Sequence, residues 1–330
     1  MATTASTANM ATTAACRQWL ATWMVAAAAI GCGGGDPGGS ATSALYSPCA
    51  SAARLGGFAV DLTVMDGTPG YTSLIGAVRD VPDPREVWSD SGANGCALVT
   101  GPALSCASAC ATGMFCGAAG SCIAEPIPQN AGVVMITGVG PTPIEVTRIA
   151  SRNSYYSTLT DPFPPFAPGD TVTLSAAGAD VPAFSLEGRG IAPLTFAGTG
   201  IVIGRDKPID LTWTAPAAPG DAKIYVRVDI GHHGGIAARI DCHVGDTGST
   251  RIPAALVNML IGKGTAGFPS VSLTRRTIDS ETLATGCVDL AVASSVERVV
   301  MVEGVTSCTN VGAGDECPTG QTCGADLKCS

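Results

Sequence analysis

The 330-residue chain sets 18 Lys and Arg against 27 Asp and Glu, a net charge of −9, with charged residues at only 14%. Scattered cations on an acidic chain give no basic footprint for a phosphate backbone, which excludes nucleic-acid binding. A mean hydropathy of +0.31 with recurrent Val/Ile/Leu alternation excludes a wholly disordered chain, while 5% aromatic residues leave the core to small branched side chains.

The first element is the apolar run WLATWMVAAAAI at 19–30, preceded by Arg17 and ended by Gly31. It is too short to cross a bilayer as a permanent helix and reads as the apolar part of an export signal. Met10 is an alternative start that would shorten the polar preface. Ala29-Ile30-Gly31-Cys32 resembles the lipobox of bacterial lipoproteins, with Ala29 where that family usually has Leu. The resemblance implies cleavage of a signal peptide (1–31), diacylglycerol on the Cys32 thiol and acylation, for example by palmitate, of the new amino terminus. Two or three chains anchor a domain where one does not, since each buried methylene contributes about 0.8 kcal/mol. Gly33 and Gly34 follow Cys32, where an aspartate would have implied inner-membrane retention, so the expected address is the outer membrane, with secretion as the alternative. Residues 32–44, rich in Gly, read as a lipidated flexible tether.

Residues 45–100 are expected to form a small β module. Phe58, Val60, Leu62 and Val64 alternate with polar positions as in a half-buried strand, and a second strand is expected at 71–80 after the turn Asp66-Gly67-Thr68-Pro69-Gly70. Gly76-Ala77-Val78-Arg79-Asp80 with Pro82 resembles the opening of carboxypeptidase-regulatory-type β domains. Cys49 and Cys96 bracket the module and are expected to tie its ends, worth roughly 3–5 kcal/mol on the chain-entropy estimate.

With Cys16 removed and Cys32 lipidated, twelve cysteines remain: Cys49, Cys96, Cys106, Cys110, Cys116, Cys122, Cys242, Cys287, Cys308, Cys317, Cys323 and Cys329. An even count in an exported chain suits complete disulfide pairing. Cys110-x2-Gly113-x2-Cys116-x5-Cys122 recurs as Cys317-x2-Gly320-x2-Cys323-x5-Cys329, each with Thr before its first Gly and Gly after its central Cys. Two copies of one cysteine-rich module are therefore expected, at 101–126 and 305–330, with Cys106 and Cys308 as fourth members and three pairings open in each. Gly113 and Gly320 are expected in tight turns with positive φ, and Gly117 and Gly324 to ease the exit from the central thiol. Thiolate zinc is the weighed alternative, disfavoured because paired C-x2-C knuckles are missing. The modules loosely resemble Dickkopf-type cysteine-rich elements.

From 127 to 304 the pattern predicts strands at 132–137, 171–176, 200–204, 209–214, 223–230, 236–244, 270–275, 288–293 and 296–302, separated by Gly/Pro turns, with one helix at 253–261. Short strands with almost no helix point to a mainly β fold, an antiparallel β-sandwich of possible immunoglobulin-like type. The strongest local expectation is a hairpin with Ile224, Val226, Val228 and Ile230 facing Ile236, Ala238, Ile240, Cys242 and Val244 inward, and Tyr225, Arg227, Asp229, Arg239, Asp241 and His243 outward. Ile209, Leu211 and Trp213 are expected inward on an earlier strand, with Trp213 the largest core side chain. Cys242 is assigned Cys287 as partner, with Cys287 at the strand entrance after Gly286 because alternation from Val288, Leu290 and Val292 sends it outward; a buried free thiol at Cys242 is the alternative.

Four features bear on chemistry. His232, His233 and His243 with Asp241 would be the metal or catalytic set of an exported hydrolase or metal-dependent enzyme, but adjacent turn histidines diverge and His243 lies strand steps away, so an exposed polar turn is the expectation. Gly198–Gly204 superficially suggests a phosphate loop, yet it leads into IVIG and a turn rather than a helix amino terminus. No nucleophile elbow or Walker sequence occurs. Phe163 and Phe166 in a proline-stiffened loop form a candidate recognition patch, weighed against a role covering the sandwich edge, with Tyr155, Tyr156 and Arg152 available to either surface.

Lipobox, tether, cysteine-rich module, β domain and terminal cysteine-rich module together resemble surface lipoproteins of myxobacteria. What the resemblance implies is a cell-envelope location; it carries no catalytic residue onto this chain. The expected role is non-enzymatic, without cofactor: surface binding, adhesion or envelope architecture, with the membrane reached through lipid and an envelope protein, peptide or polysaccharide as partner.

Overall fold

The computed structural model describes residues 46–330 except 66–69, 87–88, 94, 102–105, 118, 197–199, 218–219, 233–236 and 310–316, and the backbone alone at 89–93. The signal peptide, Cys32 and the tether lie outside the described residues, as do His233, Ile236 and the turn at 66–69. Among the described residues no helix is long and apolar enough to cross a membrane.

In chain order, β1 (Arg54–Thr63) and β2 (Tyr71–Arg79) form a hairpin, as do β3 (Ser89–Ala93) and β4 (Cys96–Thr100). β5 (Met114–Cys116) and β6 (Cys122–Ala124) pair inside the first cysteine module, and β7 (Pro128–Gln129) joins β2. Then follow β8 (Val134–Thr137), β9 (Ile144–Glu145), β10 (Arg148–Ile149), β11 (Ser154–Leu159), β12 (Thr171–Ala176), β13 (Phe184–Arg189), β14 (Val202–Ile203) and β15 (Ile209–Thr212). The last third holds β16 (Lys223–Asp229), β17 (Ala238–Gly245), β18 (Ser249–Ile252), α1 (Ala254–Gly262), β19 (Ser270–Leu283), β20 (Gly286–Val299) and β21 (Met301–Val302). Pro253 stands just before α1, where its missing N–H costs no helical bond.

The chain is mainly β. An eleven-stranded sheet runs β10-β11-β2-β1-β20-β19-β16-β17-β4-β3, with β7 beside β2. One face of it, here the inner face, carries two adjacent apolar cores. At the β1/β2/β20 end Phe58, Val60, Leu62, Leu290 and Val292 pack under a four-stranded sheet, β13-β12-β8-β9. At the β16/β17/β4 end Ile224, Val226, Val228, Ile240 and Leu98 pack under α1 and the ribbons β15-β18 and β14-β21. The expected hairpin registers as predicted, Val226 opposite Cys242 and Val228 opposite Ile240, because a one-residue slip would turn every apolar side chain to water. Gly76 is a case of close approach: it stands between Phe58 and Tyr155 in register, their rings 5.5 Å apart, and a Cβ there would lie 2.1 Å from Phe58 Cδ1.

Several expectations change. Residues 45–100 are not a sheet of their own: β1 pairs in parallel with β20, and β4 pairs with β17, so the segment is split across the common sheet. Alternation in β1 holds through Leu62, but Val64, past the strand end, is exposed. The strands expected at 288–293 and 296–302 are chiefly one, β20.

The cysteine pairing also differs. Cys49 bonds Cys287 and Cys96 bonds Cys242. Cys242 and Cys96 are register partners on the inner face, their Cα atoms 3.9 Å apart. Cys287 keeps simple alternation and lies on the other face from Val288. β16 and β19 separate β17 from β20, so a Cys242–Cys287 bond would have to bridge roughly 14 Å, beyond the reach of a disulfide. Cys49 lies beside β20 and Cys96 beside β17, which rules out their union on the same ground.

Within the modules the pairing is Cys106–Cys116 with Cys110–Cys122, and Cys308–Cys323 with Cys317–Cys329: first to third and second to fourth in both. At a constant offset of 207 residues the turn bonds coincide as well. Met114 N to Ala111 O matches Gln321 N to Pro318 O, and Gly117 N to Ser121 O matches Gly324 N to Lys328 O. Gly113 and Gly320 have φ of +78° and +88°, the conformation expected of them.

Candidate functional site

The two cores meet along a polar seam, and a cleft opens there. After β13 the chain crosses the inner face as an irregular segment, residues 190–196, whose buried backbone groups need partners. Side chains of the large sheet supply them. Thr277 Oγ1 donates to Arg189 O at 2.9 Å and accepts from Arg189 N at 3.2 Å, and Ser294 Oγ accepts from Leu194 N at 3.0 Å. Arg275, only 2% exposed, donates Nη1 to Ala192 O and Pro193 O at 3.1 Å each and Nη2 to Thr214 O at 2.6 Å. Its remaining donors meet Asp246, with Nε to Oδ2 at 2.6 Å and Nη2 to Oδ1 at 3.1 Å. Trp213 Nε1 donates to the same Oδ1 at 2.7 Å. Trp213 is buried beside Ile209 and Leu211, as its spacing predicts.

Above this pair lies a cleft of about 600 Å³ walled by Pro168, Ile191, Ala192, Pro216 and Ala222, with Arg189 and Asp221 among its polar residues. All five Arg275 N–H groups are spent on the seam, so its floor offers shape and fixed dipoles rather than a donor or base free to react. Arg189 is held by Glu187, 2.7 Å away, and by Thr171.

The described histidines do not converge on this cleft or on each other. His232, exposed, has Nδ1 3.7 Å from an Asp229 carboxylate oxygen, and its carbonyl accepts from Phe268 N. His243 stands opposite Tyr225, and the seven residues from Tyr225 to His232 put the two imidazoles roughly 20 Å apart along the strand direction. His243 is on the outer face, where its Nδ1 and Tyr46 Oη share a hydrogen bond of 2.9 Å. Asp241, the expected acidic companion, instead takes both ends of an Arg239 contact at 2.9 Å and sits opposite Arg227. Tyr225 is pushed up from the usual phenol range by burial and by the nearby Asp241. Asp241 thus offsets Arg239 on its own strand and Arg227 opposite it, 3.7 Å away, while Lys223 and Arg276 leave this side of the sheet with a surplus of cations.

Phe163 and Phe166 do not form an outward patch. Phe166 is 7% exposed within the core, and Phe163 packs on the same core with its ring over Gly70, where a Cβ would come within 2.4 Å. Apolar area on a stiff loop is better buried when a core edge lies within reach. Tyr155 is buried too, its hydroxyl accepting from Ala131 N and donating to Gly132 O, each 2.9 Å, whereas Tyr156 is exposed. Of the stretch Gly198–Gly204, residues 198–199 lie outside the described residues, and Val202–Ile203 form the short strand β14, which leads into a turn rather than a helix. Sulfurs of Cys106, Cys110 and Cys122 lie within 4.8 Å of one another, as do those of Cys308, Cys317 and Cys329, but each belongs to a disulfide and has no thiolate to give a metal.

Sequence reasoning missed Arg275 and Asp246. A charged residue between Leu273 and Thr277 at inward-facing parity was the available signal, since an inward Arg in an alternating strand demands a buried partner.

No family model matches the chain, and no curated protein matches it. Among solved structures, the FN1–FN3 domains of chicken CNTN1 align at 9% identity over 71% of this chain and 69% of that one, with a TM-score of 0.17. So low a score carries no functional inference, and the β architecture rests on its own topology.

Proposed function

We propose that this chain is an exported, lipid-anchored, non-enzymatic envelope protein that binds a partner at the seam cleft. The observation that carries the proposal is the cysteine chemistry: all twelve cysteines after Cys32 stand in six disulfides, two of them joining residues 238 and 146 positions apart. Such pairing suits an oxidising compartment and gives little purpose to a cytosolic chain. The saturated floor under an apolar wall favours holding a ligand over transforming it. A protein or peptide segment, or a polysaccharide, of the envelope is the expected occupant, and the outer membrane the expected address.

Intact-mass measurement of native material tests the anchor and the bonds together. The expected species begins at Cys32, carries diacylglycerol and acyl mass, and gains two hydrogens per disulfide on reduction. Photo-crosslinking in living cells tests the cleft. A cross-linker at Ala217, on the cleft wall, is expected to give a discrete protein or glycan adduct that one at Lys263, beyond α1, does not. An unprocessed, fully reduced chain would defeat the exported reading, and equal adducts from both positions would defeat the cleft.

A further inference from the structure

At Tyr46, where the described residues begin, the chain is fastened twice within a few residues. Tyr46 forms a parallel bridge with Ile278 of β19, and Ser47 N donates to Ile278 O at 2.9 Å. This happens just past Arg276, where β16 ends its pairing with β19 at Lys223. Three residues beyond Tyr46 the Cys49–Cys287 disulfide fixes the segment covalently.

The first fastening is polar. Tyr46 Oη receives Arg276 Nη2 at 3.1 Å and Nε at 3.3 Å, and gives its own proton to His243 Nδ1 at 2.9 Å. Arg276 is in turn stacked on Tyr225, 4.4 Å from its centroid, and the Tyr225 and His243 rings stand 5.1 Å apart. The phenol oxygen therefore has both lone pairs directed at guanidinium N–H groups, and its proton needs a neutral imidazole nitrogen as acceptor.

We propose that Tyr46, Arg276 and His243 form a pH-gated latch on the tether. An imidazole gains a proton near pH 6.5, and its Nδ1 then becomes a donor facing an oxygen with no lone pair left. The new charge also joins a cationic side. Around His243, β19 contributes Arg276, β16 contributes Lys223 and Arg227, and β17 contributes Arg239 with Asp241, the one carboxylate among these groups, already held by Arg239. Since the latched state requires neutral His243, the latch is complete above the ordinary imidazole pKa and is lost as pH falls below it. Residues 46–48 then leave β19, and Cys49 stops further peeling. The latch stands whether or not Cys32 is lipidated; that release lengthens a membrane tether rests on the anchor proposed above.

The test is hydrogen exchange at the Ser47 amide in the full mature chain, corrected for intrinsic pH dependence. Protection is expected to fall at least tenfold between pH 7.5 and 5.5. His243→Gln, whose amide oxygen accepts at both pH values, should keep protection at pH 5.5, and Tyr46→Phe should lose it at both. The Ile224 and Val226 amides of β16 serve as the control for global folding. Ser47 protection that is equal at the two pH values while these controls hold, or that falls equally in His243→Gln, overturns the latch without touching the proposed anchor or cleft.

Discussion

The cysteine modules and the sheet body are stabilised over opposite ranges of sequence. Each module closes on itself through bonds spanning 10 to 15 residues, and its turn hydrogen bonds recur at a fixed offset in the second copy. The body is closed by β1 against β20, by bonds spanning 146 and 238 residues, and by the seam under Arg275. Even the docking of the modules belongs to the long-range class. Phe115 of the first lies under Arg85 at 4.4 Å, while the second offers Asp326 O to Gly267 N at 2.9 Å. The lesson is that a repeated local pattern determines a repeated covalent unit, but not the surface on which each copy rests.

Three experiments put this contrast to the test. The largest effect is expected from Cys49→Ser with Cys287→Ser. Opening so long a loop is worth about 5 kcal/mol on the chain-entropy model, against about 3 kcal/mol for a module bond such as Cys110–Cys122. Denaturant midpoints of the body should show this difference, and equal losses from the two pairs would contradict the ranking. Next comes Arg275→Met, which leaves the buried Asp246 carboxylate without its cation and strips the crossing segment of two backbone contacts and Thr214 O of a third. A loss of about 3–5 kcal/mol is expected, with the module disulfides intact on peptide mapping. The smallest concerns equivalent turn positions, Gly120 at φ +73° and Leu327 at φ +57°. Gly120→Leu should cost about 1 kcal/mol and Leu327→Gly should be neutral or mildly stabilising, read as exchange of the Gly117 and Gly324 amides that close the two turns.

Much of the fold was legible because it depends on short periods. The alternation at 224–230 and 238–244, the strand at 171–176, the proline-led helix at 254–262 and the duplicated cysteine spacing all follow from neighbours within a few residues. Weakly alternating strands such as β11 and β18 were not expected. The candidate site was less legible. The histidines drew the eye for their chemistry, but their placement on a strand and beyond its end keeps them apart. Phe163 and Phe166 were ambiguous because loop aromatics serve surface and core alike.

Local sterics and short-range periodicity suffice to read from the residues the inward face of the 224–244 hairpin, the repeat of the two cysteine modules and the positive φ of Gly113 and Gly320. The pairing of Cys49 with Cys287 and of Cys96 with Cys242, the entry of β1 into the sheet beside β20, and the bridging of two cores by Arg275 emerge only once distant segments meet. Those choices depend on which distant strands become neighbours, and the free energy of that pairing is spread over the whole sheet rather than written in any one segment.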